Sequence, residues 1–138
     1  MQMVNYWLVK QEPKSYNFSI LKKDKKTVWD GVHNNLALKH INNMKKGDLI
    51  LFYHSGDEKQ VVGIMEVSSK PYSNPKETNE RFVVVDVKYK KELQNHVTLS
   101  EMKKQKKFKN WELLRISRLS VMPVPKEIWN SIIKMSKK

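Results

Sequence analysis

Leu49-Ile50-Leu51-Phe52-Tyr53 is a run of apolar and aromatic residues with no polar break. A half-wet strand alternates polar with apolar positions, whereas an unbroken run of this kind needs cover on both faces and belongs in the middle of a sheet. Turn-forming residues bound it, Lys46-Gly47-Asp48 before and Ser55-Gly56-Asp57 after. Outward from there, Val61 to Val67 reads as the next strand and Phe82 to Tyr89 as a third. Val83, Val85, Val87 and Tyr89 form one alternating face of that third strand, as a barrel wall requires. Pro71 to Asn79 reads as a polar loop. Towards the N-terminus, Asn5 to Val9 contains Tyr6, Trp7, Leu8 and Val9 and reads as a first strand, with Pro13 ending it.

The helices are short. Asn17 is a suitable N-cap for one running to about Lys23. Trp29-Asp30-Gly31-Val32 reads as an aromatic loop, and His33 to Asn43 as a second helix with Leu36, Leu38, Ile41 and Met44 as apolar positions. Thr98-Leu99-Ser100-Glu101 opens another in capping-box style. Leu113-Leu114-Arg115 and Arg118-Leu119-Ser120-Val121 read as extended segments, and Pro123 and Pro125 break the chain. Glu127 to Met135 closes it with a helix that turns Ile128, Trp129, Ile132 and Ile133 inward. Short strands with small helices at both ends predict an α+β fold, a mixed barrel forming one domain over residues 1–138.

Composition narrows the function classes. The chain has no cysteine, which excludes disulfides and thiolate metal sites. No stretch approaches the roughly 18 apolar residues of a membrane span, and Met1-Gln2-Met3-Val4-Asn5 lacks the basic start and apolar run of a signal peptide. A cytoplasmic protein, or a nuclear one in a eukaryote, is the expectation, with no membrane partner and a monomeric state favoured. Lys plus Arg number 27 against 14 Asp plus Glu, a net charge of +13. Such a surface attracts polyanions, although solvated lysines without a partner give the same count. Lys22, Lys23, Lys25 and Lys26 form one basic run, and Lys103, Lys104, Lys106, Lys107 and Lys109 another. Both are candidate phosphate contacts or solvated helix faces.

Trp7 and Trp29 are each followed by groups able to make directional bonds: Lys10 and Glu12 after the first, Asp30 and Asn34 after the second. An aromatic plate beside a carboxylate or amide is what an extruded base needs, the plate for stacking and the polar group for its edge. Core packing is the alternative for both indoles. Tyr53-His54-Ser55 ends the most apolar strand and is placed for a pocket rim or a capping turn. Arg115 and Arg118, in a chain with only three arginines, suit planar multi-point hydrogen bonding or a buried ion pair. Enzyme signatures are thin: no phosphate-binding glycine loop, no HExxH and no GxSxG. His33 and His40 without a third ligand make a weak metal site, and no cofactor is called for.

In order along the chain, several blocks resemble the EVE domain, a PUA-like module, in its thymocyte-nuclear-protein-like branch. They are Tyr6-Trp7-Leu8-Val9-Lys10 with Glu12-Pro13, Thr27-Val28-Trp29-Asp30-Gly31-Val32 with Asn34, and Lys46-Gly47-Asp48 leading into Leu51-Phe52-Tyr53-His54-Ser55. Val62-Gly63-Ile64, Glu66-Val67, Phe82 to Val87, Leu113-Leu114-Arg115, Arg118 to Val121, Pro123-Val124 and Trp129 complete them. The resemblance implies a curved, mostly antiparallel β-barrel with short peripheral helices. It also implies non-catalytic nucleic-acid binding, with a flipped methylated or hydroxymethylated cytosine of DNA in an aromatic pocket. Carried over by position, Trp7, Trp29, Asp30, Asn34 and Ser55 are the base-pocket candidates, and Lys10, Glu12, His54, Arg118 and Ser120 the rim or groove. The chain departs from the family at Gln11, commonly a small residue; at His33, commonly Arg; at Asn35, commonly Tyr; and at Leu38, usually basic. The loop from Pro71 to Arg81 is also short. Losing a ring and two cations there would move phosphate contacts to the lysine runs. Three other readings stand beside this one: an RNA-binding PUA-like protein, an enzyme on nucleic acid using His54 or Glu12 as acid–base group, and an adaptor whose basic surface is incidental.

Overall fold

Strand β3 (Leu49–His54) lies between β1 (Tyr6–Gln11) and β4 (Gln60–Val67), so the most apolar run of the chain has a hydrogen-bonded neighbour on each side. The computed structural model describes residues 4–137. Met1, Gln2 and Met3, part of the signal-peptide reading, lie outside the described residues. The sheet runs β2 (Lys26–Trp29), β6 (Val83–Thr98), β4, β3, β1, β7 (Val121–Pro123), with the short β5 (Tyr72–Ser73) on β6.

Pairings are antiparallel except one: β1 and β3 run parallel, Tyr6 beside Leu49 and Gln11 beside His54. A parallel pair requires a long crossover, and residues 12–48, carrying α1 (Phe18–Asp24), β2 and α2 (Asn35–Asn42), supply it. Register shifts at Phe52/Tyr53, Val61/Gly63 and Ile64/Met65 bend the strands. The result is an α+β curved half-barrel, the PUA-like architecture that the resemblance implies, with α2 packed against both β6 and β7.

The inner face collects Phe52, Met65, Val67, Val85 and Val87, all buried. Phe18 reaches in from α1 and lies directly over Gly63, where a Cβ would fall inside its ring. Its ring meets Phe52 edge-on at 5.2 Å. The outer face is covered by α5 (Lys126–Met135), whose Trp129 stacks on Tyr6 at 4.4 Å. The local signals work as read. Asn17 Oδ1 accepts from the Ile20 amide at 3.0 Å and Asn34 Oδ1 from the Ala37 amide at 3.0 Å. Thr98 and Glu101 form the reciprocal capping box at the start of α3 (Leu99–Lys103).

The structure corrects five readings. The expected aromatic loop begins as a strand: Lys25 at φ 72° turns the chain out of α1, and Thr27, Val28 and Trp29 then pair with β6. Residues 113–115 are not extended but belong to α4 (Glu112–Arg115), held where the Trp111 indole donates to the Pro123 carbonyl at 2.9 Å. Arg118 to Ser120 is irregular, and only Val121 to Pro123 joins the sheet. Strand β6 continues nine residues past Tyr89 to Thr98, because β4 keeps pairing there although only Leu93 and Val97 are buried. Leu36 points outward at 40% exposure, leaving Ala37, Leu38 and Ile41 as the inner residues of α2.

Candidate nucleic-acid interface

The expected pocket residues separate into three settings. Trp7, Trp29 and His54 belong to the interior. Each indole is only 5% exposed, so neither presents an open stacking plate. Trp7 donates its indole N–H to Asp48 Oδ2 at 2.9 Å, and Trp29 stands edge-on to Phe52 at 5.4 Å. Asp48 is buried and also accepts from the Asn5 and Lys45 amides at 3.1 and 2.9 Å, so its carboxylate is fully engaged. His54 Nε2 accepts from the Phe18 amide at 3.1 Å, which makes Nδ1 the N–H that donates to Glu58 Oε1 at 2.8 Å. Both imidazole nitrogens therefore hold structure. That leaves no free lone pair for the acid–base role considered above.

The exit of β3 and the outer face hold a second set. The Ser55 amide donates to the Gln11 carbonyl at 2.9 Å, and the Glu12 carboxylate lies against Gly56. Lys10 is half-buried; its Nζ donates to the Ser117 carbonyl at 2.9 Å and sits 6.0 Å from the centre of the Tyr53 ring. Its amide bonds the Ser120 carbonyl at 2.9 Å, while Arg118 beside it is exposed. Burial lowers the Lys10 pKa and pushes the Tyr53 hydroxyl up to about 12. A cleft of about 250 Å³ at this end is lined by Glu12, Pro13, Lys14, Asp57 and Glu58, an acidic surround unsuited to phosphate.

The third setting is the rim where β2 gives way to α2. Asp30 is exposed, Gly31 takes φ +76° to turn the chain, and Asn34 is spent as the helix cap. Across β6 from this loop is Tyr72, paired with Val84 where Trp29 pairs with Val85; it is 38% exposed, with its hydroxyl donating to Asp86 Oδ1 at 2.6 Å. That hydrogen bond, with burial and then the charges of Asp86 and Asp30, pushes the Tyr72 hydroxyl up to about 12. Asp30 is thus within electrostatic reach of an exposed, firmly held phenol ring. Sequence reading missed Tyr72 because the segment after Pro71 reads as a polar loop, whereas Tyr72 and Ser73 form β5 on β6.

The departures at His33 and Asn35 have partners on the same rim. His33 Nε2 lies 2.8 Å from Glu77 Oε2, and Arg81 Nη1 donates to Asn35 Oδ1 at 3.0 Å. The Phe82 ring takes the His33 ring at 4.5 Å and the Arg81 guanidinium at 4.8 Å. These contacts clasp the 30–35 loop to the short 71–82 loop. Leu38, at a usually basic position, is buried instead. Among the described residues no hydrogen bond or ring contact joins Trp7, Trp29, Asp30 and Ser55 to one another.

The lysine runs are largely exposed. Lys22 pairs with Glu92 at 3.8 Å, Lys26 lies opposite Lys88 in the β2–β6 ladder, and Lys107 donates to Ser131 Oγ at 3.2 Å. Among the described residues no group of three His, Cys, Asp or Glu could hold a metal ion, and no helix is long and apolar enough to cross a membrane.

The sequence profile of the EVE domain matches residues 5–135. The chain belongs to the EVE domain family. This EVE domain is 30% identical to human thymocyte nuclear protein 1 over 97% of its own length and 75% of the human protein's. It is similar to the solution structure of Rpa0253 from Rhodopseudomonas palustris, with a TM-score of 0.90, 38% identity and coverage of 97% and 94% of the two chains. It is also similar to human THYN1 in complex with 5-methylcytosine-containing DNA, with a TM-score of 0.88, 27% identity and coverage of 97% and 98%.

Proposed function

We propose that this EVE domain is a non-catalytic DNA-binding module that recognises a modified cytosine. The observation that carries the reading is its likeness, over nearly the whole of both chains, to the human relative bound to 5-methylcytosine-containing DNA. The net charge of +13 supplies salt-dependent attraction to the backbone. The Asp30 rim supplies directional chemistry: its carboxylate accepts from an exocyclic amine such as cytosine N4, and the exposed Tyr72 ring offers a face for stacking. A buried methyl group contributes only about 0.8 kcal/mol, so discrimination of the modified base rests also on the polar contacts around it.

The test is Asp30→Ala and Tyr72→Ala, measured against matched duplexes with cytosine or 5-methylcytosine at one central position. A hydrogen bond to a charged group contributes about 1.5–3 kcal/mol, so Asp30→Ala should weaken binding to the modified duplex roughly tenfold or more. It should also shrink the preference over the plain duplex. Tyr72→Ala should act in the same direction. Two folded variants with unchanged affinity and unchanged preference would remove the rim from the account.

A further inference from the structure

A cleft of about 930 Å³ opens where the 45–48 turn meets Lys70 and Pro71, and it is lined on its polar side by Lys45, Lys46 and Lys70. All three are exposed, and none takes part in an ion pair among the described residues. The one carboxylate in the lining is Asp48, and it is buried with N–H donors from Trp7, Asn5 and Lys45 upon it. Its oxygens are taken up by those donors, and three lysine amines outnumber its single charge. Near the end of α2, the His40 and Ile41 carbonyls accept from the Asn43 and Met44 amides at 3.0 Å each. What remains is a concave, cationic surface with no exposed acid. Pro71 in its lining precedes Tyr72 of the rim in the chain.

The lysine runs at 22–26 and 103–107 differ in kind. Lys22 and Lys107 have Glu92 and Ser131 against their amines, and the cleft that Lys103 and Lys104 line also holds Asp57 and Glu58. Resting on the DNA-binding reading above, we infer that Lys45, Lys46 and Lys70 form the phosphate-binding groove that holds the backbone beside the recognised base. The ligand chemistry is a phosphodiester or phosphate anion; the sources are a DNA strand or a free phosphate.

The experiment compares the full chain with a Lys45→Gln/Lys46→Gln/Lys70→Gln variant and, as control, Lys103→Gln/Lys104→Gln/Lys106→Gln. The probes are the plain and 5-methylcytosine duplexes over a range of salt, and inorganic phosphate followed by amide shifts. Each phosphate neutralised contributes about −0.9 to the slope of log K against log salt. The cleft variant should lose roughly ten- to a hundredfold in affinity for both duplexes at moderate salt, with a shallower slope and an unchanged ratio between them. The control should lose less. Equal losses in the two variants, or no loss in the cleft variant, would overturn the groove while leaving base recognition intact. If neither duplex binds the unaltered chain, the DNA-binding reading fails, and phosphate decides the groove by itself. Shifts at Lys46, Gly47 and Lys70 that vanish in the cleft variant would keep it as an anion site, and their absence in the unaltered chain would end it.

Discussion

The interior around His54 and the rim around Asp30 are built from the same residue types and do opposite things. In the interior, a histidine, a carboxylate and several rings satisfy one another. His54 is closed by Phe18 and Glu58, Asp48 by three N–H groups, and Trp29 by Phe52. At the rim, Asp30 stands exposed and the Tyr72 ring keeps an open face although its hydroxyl is held. Buried polar groups need partners, so a saturated constellation is architecture. An unsaturated one on a braced loop is free to bind.

Adjacent residues give the sharpest way to break this contrast. Trp29→Ala removes a buried aromatic and should cost about 3–5 kcal/mol in denaturant unfolding. Asp30→Ala, one residue on, should leave stability within about 0.5 kcal/mol while weakening DNA binding. A stable Trp29→Ala protein that has lost base preference would return the indole to the binding surface. Next in size is Asp48→Ala. It strands the indole N–H of Trp7 and two amides, and unsatisfied buried donors cost about 1–3 kcal/mol apiece. Only the indole N–H is fully buried, and the two amides are part-buried and open to water, so a loss of about 2–4 kcal/mol is expected, and a loss under about 1 kcal/mol would show that water replaces the carboxylate.

Smaller effects sharpen the rim. Arg81→Ala should change stability by less than about 0.5 kcal/mol but release the clasp on Asn35. Faster amide exchange through residues 32–36 is the readout, and unchanged exchange would mean that the loop is held by α2 alone. The smallest effect concerns Glu58, whose carboxyl is held below its ordinary 4.5, first of all by the His54 N–H. The folded chain therefore binds that proton less readily than the unfolded chain. The stabilisation is full above about pH 4.5 and is lost as pH falls through the lower folded value. Glu58 is well exposed, so a few tenths of a kcal/mol is the scale. Glu58→Gln should melt slightly below the unaltered chain at neutral pH and level with it in acid. A gap that widens in acid would contradict the assignment.

Most of the sheet was legible because its signals are local. The unbroken Leu49–Tyr53 run reads as central, Asn17 and Thr98 read as caps, and the valines of residues 83–87 read as a wall. The second half of β6 was not, since Lys90, Lys91, Glu92 and their neighbours are exposed and owe their extended form to pairing with β4. The direction of β1 against β3 is likewise set by tertiary closure. For the candidate rim, the 30–34 segment is marked in the sequence, but its structural partners are not. Tyr72, Glu77 and Arg81 come to it from a loop more than forty residues away, and no spacing rule reports that. The indoles of Trp7 and Trp29 carry the same letters whether buried or open, and burial is a property of the assembled barrel.

The most direct measurement is equilibrium binding to matched DNA duplexes, with cytosine or 5-methylcytosine at one central position, across a series of salt concentrations. A reader that combines a cationic groove with a recognising rim predicts that both affinities fall as salt rises while the preference for the modified duplex persists. A single affinity common to both duplexes, vanishing with salt, would leave only the attraction of a basic surface and contradict the account.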